Sequence, residues 1–496
     1  MSNVSARISR WIHTIQEKLI RTFRRKRSIG AATTTTARAA LSALSSLYSG
    51  YAGGDEEAIA LVVGTDQPFG FDLEMLMKNA EIEAMVVLIL GKINSRKTTL
   101  AKNLLFVRLR TSFGGRQSRA IVEDVIVRNG IPEWQKTAEK LRCTPVPMHE
   151  PFNPISSVYG MSRDEHMMTV EDLITAGGHK RPIGIFDHAS RIAFLKMYSE
   201  YPEYASIPTF ARTLEKLSVD DVLAYGKQIE AEYKARIDAE AAAKGEQIPE
   251  KLLELMQRNS NIDPEKIVKA ALKVLFDLNK VLEGHLGRMF GGTKTIEKGF
   301  KQRLVVLDYT KLLTNPDSIA LVKRFVRRLL ESAKNRNDLD FMFQTDISDE
   351  AYKMLRIGDE AIATSDDIKS IRSTDKAKII LSQRPRDFLS IGDGDTSKRN
   401  ASNNLFGDVS VFFIGRQGKK DIQLLRESIE ITEEEELIIS GQGRGQFLVK
   451  IGDNLGIPID TNAMFTDILA EISDSNSALD EGLDRSTFRE DTFIEE

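Results

Sequence analysis

The sequence of 496 residues predicts an α/β protein with a mostly parallel sheet and an inserted all-α subdomain. Short, continuous apolar runs alternate with segments of helical periodicity, which is typical of buried parallel strands connected by helices. Residues 164–288 show helical periodicity without such runs. Hydrophobic residues make up 41% of the chain, an ordinary share for a globular protein with a large core.

Composition and charge divide the chain into six predicted segments. They are a basic amphipathic helix (1–30), a flexible linker rich in Ala, Thr, Ser and Gly (31–55), the first part of the core (56–163), a helical subdomain (164–300), the second part of the core (301–470) and an acidic tail expected to be disordered (471–496). The net charge of −3 hides this opposition between a basic beginning and an acidic end.

The first segment places apolar residues at three- and four-residue spacing between Ile8 and Phe23, and basic residues crowd the remaining positions. This pattern predicts an amphipathic helix. Docking on an anionic membrane surface or a partner protein is one interpretation, and packing on its own domain is another. An arm that binds nucleic acid is a third.

The single cysteine, Cys143, excludes an internal disulfide framework and fits a reducing compartment. The chain contains no run of 18 or more apolar residues, so we predict no spanning helix. The beginning of the chain lacks the compact apolar region of a secretory signal. The six histidines show no metal-ligand spacing.

Apolar runs predict the strands of the core. These runs are residues 59–63, 85–90, 120–126, 304–308, 340–345, 378–382, 409–414 and 447–451. Turn residues at 64–71 lead to Asp72 and a short helix, and the sequence Asp-Pro-Glu at 263–265 predicts a helix start.

A phosphate-binding loop is predicted between the strand at 85–90 and the helix that follows it. The pattern G-x-x-x-x-G-K-[ST] places Gly91, Lys97 and Thr98 correctly, but Arg96 occupies the second glycine position. Arg96 either distorts the loop, because glycine lets the backbone approach the phosphates closely, or points outward and leaves the peptide groups in place. The predicted nucleotide-binding residues are Gly91, Asn94, Ser95, Arg96, Lys97, Thr98 and Thr99.

Acidic residues follow two of the later strands. Nucleotide hydrolysis needs an acid near the magnesium ion and a second acid that orients water, and the adjacent Asp349 and Glu350 supply both. Asp308, after the strand at 304–308, is an alternative ligand for Mg²⁺. Gln383, after the strand at 378–382, is placed to sense the γ-phosphate.

Two arginines in glycine-flanked loops are candidates for a transition-state contact across a subunit boundary. Arg416 lies in Gly-Arg-Gln-Gly and Arg444 in Gly-Arg-Gly. The alternative for each is a solvated surface side chain.

With these residues in view, the order of segments over residues 60–465 resembles that of the type IV secretion and conjugation ATPases of the HerA/FtsK-like P-loop class, in the short form found on actinobacterial mobile elements. Asp-Glu-Ala-Tyr at 349–352 resembles the acidic motif of that class. The other segments that resemble it are residues 64–72, Pro-Phe-Asn-Pro at 151–154, residues 289–294, Ser-Gln-Arg-Pro at 382–385 and Gly-Asp-Gly-Asp at 392–395.

The resemblance implies a RecA-like core that binds ATP and Mg²⁺ and assembles as a homohexamer. It also implies partners in a membrane-embedded secretion or conjugation channel, and a cytoplasmic location at the inner face of the cell membrane. Two features depart from the class: Arg96 replaces the second glycine, and a basic helix and linker stand where the full-length ATPases carry a large N-terminal domain.

The sequence therefore predicts an ATP-binding, motor-type subunit of a conjugative or type IV secretion apparatus. One alternative is a catalytically impaired structural relative that assembles with an active ATPase, which Arg96 would explain. The other is a P-loop motor that moves DNA, for which the basic beginning of the chain offers slight support.

Overall fold

The computed structural model describes residues 58–65, 67–110, 117–128, 131–176, 184–244, 263–335, 341–357, 360–372, 374–389, 400, 404–452, 454–464, 469 and 472. The predicted basic helix and linker lie outside these residues, as do all but one residue of the predicted acidic tail and the segment at 392–395. No helix in the described ranges is both long enough and apolar enough to cross a bilayer.

The strands alternate with helices along most of the chain. The strands are β1 (Ala58–Val62), β2 (Pro68–Gly70), β3 (Val86–Leu90), β4 (Gln117–Asp124), β5 (Val127–Arg128), β6 (Ile131–Pro132), β7 (Val146–Pro147), β8 (Leu304–Asp308), β9 (Phe341–Ser348), β10 (Lys376–Ser382), β11 (Val411–Ile414), β12 (Gln446–Ile451) and β13 (Ile457–Asp460).

Helices occupy most of the middle of the chain. The α-helices are α1 (Leu73–Lys78), α2 (Lys97–Arg110), α3 (Gln135–Lys140), α4 (Arg163–Ala176), α5 (Ile185–Glu200), α6 (Ile207–Glu215), α7 (Val219–Lys244), α8 (Pro264–Leu282), α9 (His285–Phe290), α10 (Glu297–Phe300), α11 (Pro316–Asn335), α12 (Tyr352–Leu355), α13 (Glu360–Ile371), α14 (Arg386–Leu389), α15 (Lys419–Ile429) and α16 (Glu433–Gly441).

The described residues form two compact units. The first contains residues 58–110, 350–352 and 365–464, and the second contains residues 117–349, 353–357 and 360–364. The predicted helical subdomain, residues 164–300, contributes α4 to α10 to the second unit.

The sheet of the first unit has the strand order β2-β1-β13-β12-β11-β3-β10. β3 lies between β10 and β11 and runs parallel to both. All five residues of β3 are buried, which explains its uninterrupted apolar sequence. The pairs from β11 through β12, β13 and β1 to β2 are antiparallel.

The second unit carries the strands β9-β4-β8-β7, and every adjacent pair is parallel. Helices pack on these strands around one hydrophobic core, in which the ring centroid of Phe325 lies 5.2 Å from that of Phe152 and 5.5 Å from that of Tyr159. The mixture of strands and helices confirms the predicted class, an α/β fold with a large, mostly parallel sheet.

Local signals placed several element boundaries correctly. Asp72 accepts hydrogen bonds from the N–H groups of Glu74 and Met75 at the start of α1, and Asp263 accepts one from Glu265 at the start of α8. The predicted turn at 64–71 differs, because residues 68–70 form the short edge strand β2. β2 pairs antiparallel with β1, the strand before it in sequence, and its three residues are too few to show a period of two.

Candidate functional site

Three parallel strands of the first unit end at the same edge of its sheet. In the register of β3 with its two neighbours, Leu90 pairs with Ser382 on one side and with Ile414 on the other. The Gly91 N–H donates to the Ser382 carbonyl at 3.3 Å, and the Gly415 N–H donates to the Leu90 carbonyl at 2.7 Å. The predicted phosphate loop therefore begins between the segments that follow β10 and β11.

The loop from residue 91 to residue 96 is folded tightly on itself. The Ser95 N–H donates to the Lys92 carbonyl at 3.1 Å. A Cβ atom added at Gly91 would lie 2.5 Å from Ser95 Oγ, so the loop accommodates only glycine there without a shift. Ser95 is buried, and its Oγ has no hydrogen-bond partner in the part of the chain that the structure describes.

Arg96 adopts the left-handed conformation that glycine would supply at the second glycine position. Its φ is +70°, and Asn94 has a φ of +66°. The Arg96 guanidinium donates a hydrogen bond to Asn462 Oδ1, and Asn462 Nδ2 in turn donates to the Arg444 carbonyl at 2.8 Å. Of the two interpretations of Arg96, this geometry supports the one in which the side chain turns outward and the loop keeps its path.

Lys97 is the first residue of α2, and its amino group folds back over the loop. Lys97 Nζ donates to the Gly91 carbonyl at 2.7 Å and to the Lys92 carbonyl at 3.3 Å. Lys97 and Thr98 are both buried, and the first turn of α2 contains no acidic residue. The amino group, the Thr98 hydroxyl and the positive end of the helix therefore lie at one place, which suits an anion.

Glu350 and Gln383 form a direct hydrogen-bonded pair. Gln383 Nε2 lies 3.0 Å from each carboxylate oxygen of Glu350. Glu350 has a φ of +49°, and the following Ala351 N–H donates to the Leu381 carbonyl at 2.9 Å. The structure thus brings two of the predicted catalytic residues together on the edge of the sheet where the phosphate loop begins.

The two candidate arginines differ in their surroundings. Arg416 is exposed and lies two residues after β11, the strand beside β3. Arg444 is also exposed and precedes β12, and the neighbouring Gly445 N–H donates to the Ser95 carbonyl of the phosphate loop at 3.2 Å.

The other predicted acidic residues belong to the second unit. Asp308 ends β8, and its Oδ1 accepts hydrogen bonds from the N–H and the hydroxyl of Thr310. Asp349 follows β9, is almost fully buried, and accepts a hydrogen bond from the Trp134 indole N–H at 3.1 Å. Both side chains therefore follow strands of the parallel sheet of that unit, at their carboxyl ends.

Asp124 is a third acid at these strand ends, and sequence reasoning missed it. It pairs with Asp308 in the parallel register of β4 and β8 and accepts hydrogen bonds from the N–H groups of Ile126 and Trp134. Burial raises the pKa of Asp124 to about 7, and the nearby carboxyl groups of Asp349 and Asp308 raise it further against those two hydrogen bonds. The sequence predicts a strand over 120–126 and so places Asp124 inside it, whereas β4 ends at Asp124; the acidic pair Glu123 and Asp124 after an apolar run is the signal that could have identified it.

The residues of the first unit fit a magnesium nucleotide. The buried Ser95 Oγ lacks a partner among the described residues, and the Lys97 amino group donates hydrogen bonds to the carbonyl oxygens of Gly91 and Lys92 in the same loop. A phosphate oxygen is a stronger acceptor for an ammonium group than a carbonyl is. Because Mg²⁺ is usually held by one or two protein groups with phosphates and water, the Thr98 hydroxyl is an adequate contribution from this loop.

Comparison with known proteins adds a likeness of fold. No protein-family model and no curated protein matches the chain. Among solved structures, VirB4 of Thermoanaerobacter pseudethanolicus aligns with a TM-score of 0.55 and 15% sequence identity, over 82% of this chain and 96% of VirB4. At this identity the alignment establishes a shared fold.

The plasmid coupling protein TrwB also aligns. Its complex with the non-hydrolysable GTP analogue GDPNP gives a TM-score of 0.42 and 11% identity, over 87% of this chain and 92% of TrwB. Its complex with ADP and Mg²⁺ gives a TM-score of 0.37 and 10% identity. VirB4 and TrwB are type IV secretion and conjugation ATPases, the class that the sequence resembles.

Proposed function

We propose that this chain is an ATP-binding, motor-type subunit of a conjugative or type IV secretion apparatus that couples ATP binding and hydrolysis to substrate transfer. The observation that carries the proposal is the arrangement at the edge of the first sheet. The phosphate loop starts there with its lysine at the beginning of a helix, and a glutamate held by a glutamine lies on the same edge. The fold shared with VirB4 supports the choice of apparatus.

Each residue then has a specific task. Bound Mg-ATP supplies the γ-phosphoryl group and the cation that neutralises charge on its oxygens. Lys97 binds phosphate oxygens, while the Thr98 hydroxyl contributes to the magnesium site. Glu350 orients and deprotonates the attacking water, and Gln383 senses the γ-phosphate. Asp349 is assigned to the binding of Mg²⁺.

The assembly that we propose is the one implied by the resemblance of the sequence to the secretion and conjugation ATPases. The chain would form a homohexamer at the inner face of the cell membrane and contact the proteins of the channel. Arg416 or Arg444 would then contact the nucleotide of a neighbouring subunit.

Nucleotide binding is tested by thermal unfolding. Ligand that binds only the folded state stabilises it by about 2.7 kcal/mol at a hundred times its Kd. We expect millimolar Mg-ATP to raise the Tm of the wild type by several degrees, on the order of 5 °C. Lys97→Ala should lose the shift, whereas Lys266→Ala, which removes an exposed lysine from the first turn of α8, should keep it. An unchanged melting curve for the wild type would overturn the proposal.

Hydrolysis is tested separately by steady-state ATP turnover. We expect the wild type to be active, and Glu350→Gln to bind ATP with the same Tm shift but to lose at least about a hundredfold in kcat, because the general base is gone. Binding without turnover in the wild type would instead identify a structural relative that assembles with an active ATPase.

A further inference from the structure

A second glutamine, Gln417, lies beside the Glu350–Gln383 pair. Only 3% of Gln417 is exposed, although it lies in the loop between β11 and α15. Its Nε2 donates a hydrogen bond to the main-chain carbonyl of Gln383 at 3.3 Å. The three residues therefore form a chain of contacts: the Gln417 amide bonds to the Gln383 main chain, and the Gln383 amide bonds to both carboxylate oxygens of Glu350.

Packing alone does not explain a glutamine at this position. Its Oε1 is buried and has no hydrogen-bond partner in the described part of the chain. A buried amide oxygen without a donor is costly, and methionine or leucine would fill nearly the same volume without that cost. The N–H donor of this amide makes the hydrogen bond that methionine or leucine could not make, the one to the Gln383 carbonyl.

Other hydrogen bonds hold the peptide groups next to Gln383, beginning with the one that the Gly91 N–H donates to the Ser382 carbonyl. Ser382 Oγ and the Arg384 N–H both bind Asp387 on the side of α14. Arg386 forms an ion pair with Asp421 of α15 at 2.7 Å, at a half-exposed position. Because the Gln383 carbonyl and the Arg384 N–H belong to one planar trans peptide group, Gln417 and Asp387 hold that group from its two sides.

We propose that Gln417 is a positioning residue for ATP hydrolysis: it holds the Gln383 main chain so that the Gln383 amide keeps the Glu350 carboxylate in place. This inference rests on the proposed function. Gln417 also follows Arg416 directly in sequence. A contact that a neighbouring subunit makes with the Arg416 loop is therefore only two hydrogen bonds from Glu350. One joins Gln417 to the Gln383 carbonyl, and the other joins the Gln383 amide to Glu350.

The first test needs no nucleotide and uses hydrogen exchange of the full chain. Gln417→Met keeps the volume and removes the donor, and Gln417→Glu keeps the shape but has no N–H. In both variants we expect peptides covering residues 350–355 to exchange about fivefold faster, because the Ala351 N–H bond to the Leu381 carbonyl opens more often. Gln423→Met, at an exposed position on α15, should leave these peptides unchanged. Equal exchange at 350–355 in wild type and both variants would overturn the proposal.

The second test is kinetic. Gln417→Met should lower kcat about tenfold and change KM by less than about twofold, because phosphate binding at Lys97 is intact. If Gln417 acts through Gln383, the double variant with Gln383→Met should be no slower than Gln383→Met alone. If the double variant instead lowers kcat by the product of the two single factors, Gln417 acts independently of Gln383, and this would contradict the proposal. Absence of an ATP-induced Tm shift in the wild type would refute the proposed function, while the exchange result would still decide the role of Gln417.

Discussion

Arg96 occupies a backbone conformation that is unfavourable for residues with a Cβ atom. The left-handed region costs such a residue roughly 1–2 kcal/mol. The hydrogen bond to Asn462, which is itself bound to the Arg444 carbonyl, offsets part of this cost and ties the phosphate loop to the segments on either side of β12 and β13. The residue that departs from the motif is therefore also an anchor of the loop.

Two substitutions at Arg96 distinguish the effect of backbone strain from the effect of the hydrogen bond to Asn462. Arg96→Gly relieves the strain and loses the bond, so we expect a Tm within about 2 °C of the wild type. Arg96→Ala loses the bond but keeps the strain and should be about 1 kcal/mol less stable than Arg96→Gly. Thermal unfolding measures both variants. A more stable Arg96→Ala would contradict the left-handed backbone.

The same variant tests whether Arg96 impairs the site. Because the loop already follows the path that glycine allows, we expect Arg96→Gly to change ATP turnover by less than about fivefold, equivalent to roughly 1 kcal/mol in the barrier. A gain well beyond that would mean that the arginine obstructs hydrolysis.

Asp124 gives the protein a specific pH dependence. Its pKa in the folded chain, about 7, lies above its ordinary value of 3.8. The folded state therefore binds the proton more tightly than the unfolded state, so this contribution to stability is full below about pH 4 and is lost as the pH rises through 7. We expect the Tm of the wild type to fall relative to that of Asp124→Asn between pH 5.5 and pH 8.5. Asp366→Asn, at an exposed position, controls for the loss of one negative charge. Parallel pH profiles for wild type and Asp124→Asn would be inconsistent with this pKa.

At the scale of elements, α16 is joined to the hairpin of β12 and β13 through its own start signal. Thr432 accepts a hydrogen bond from the Glu435 N–H, and the Glu435 carboxylate accepts one from the Thr432 N–H at 2.8 Å. Glu435 is buried and also contacts Lys450 of β12 and the Gly456 N–H that precedes β13. The capping box thus fixes both the first turn of the helix and its position on the sheet.

Removing this cap should weaken the first unit. We expect Thr432→Ala to cost about 1 kcal/mol, because the Glu435 N–H loses its acceptor. The corresponding fall in Tm is about 2–4 °C for a unit of this size. Ser440→Ala, in the last turn of the same helix, removes only an exposed hydroxyl that bonds to the Leu437 carbonyl and should shift Tm by less than about 1 °C. Equal effects of the two variants would mean that the cap is not important for stability.

At the scale of the whole molecule, the proposed assembly predicts that one subunit completes the site of another. Arg416 and Arg444 are both exposed, as a side chain that contacts another subunit must be, and Arg416 is tested first. We expect Arg416→Ala to keep the ATP-induced Tm shift and to lose at least about a hundredfold in kcat. The same two measurements on Arg444→Ala test the other candidate arginine.

Mixing variants then tests action across the subunit boundary. Lys97→Ala and Arg416→Ala should each be inactive, and equal amounts mixed should recover part of the wild-type turnover, because some interfaces would combine an intact Lys97 with an intact Arg416. A mixture as inactive as its components, at a concentration where assembly is seen by sedimentation, would argue against a shared site.

The sequence by itself determined the class of fold and most of the strands, and it predicted the phosphate loop between β3 and α2. These features depend on local signals: the apolar run before Gly91, the lysine and threonine at fixed offsets, and the aspartates that begin α1 and α8. Such signals act over a few residues, so one sequence is enough to read them.

Only the tertiary structure decided how distant residues meet. Segments far apart in sequence are joined in the two compact units, in the contact of Arg96 with Asn462, in that of Gln417 with Gln383 and in that of Trp134 with Asp349. Strand order and side-chain packing create these contacts, and neither leaves a periodic trace in the sequence. The sequence identified the phosphate loop, whereas the tertiary structure determined which residues support it.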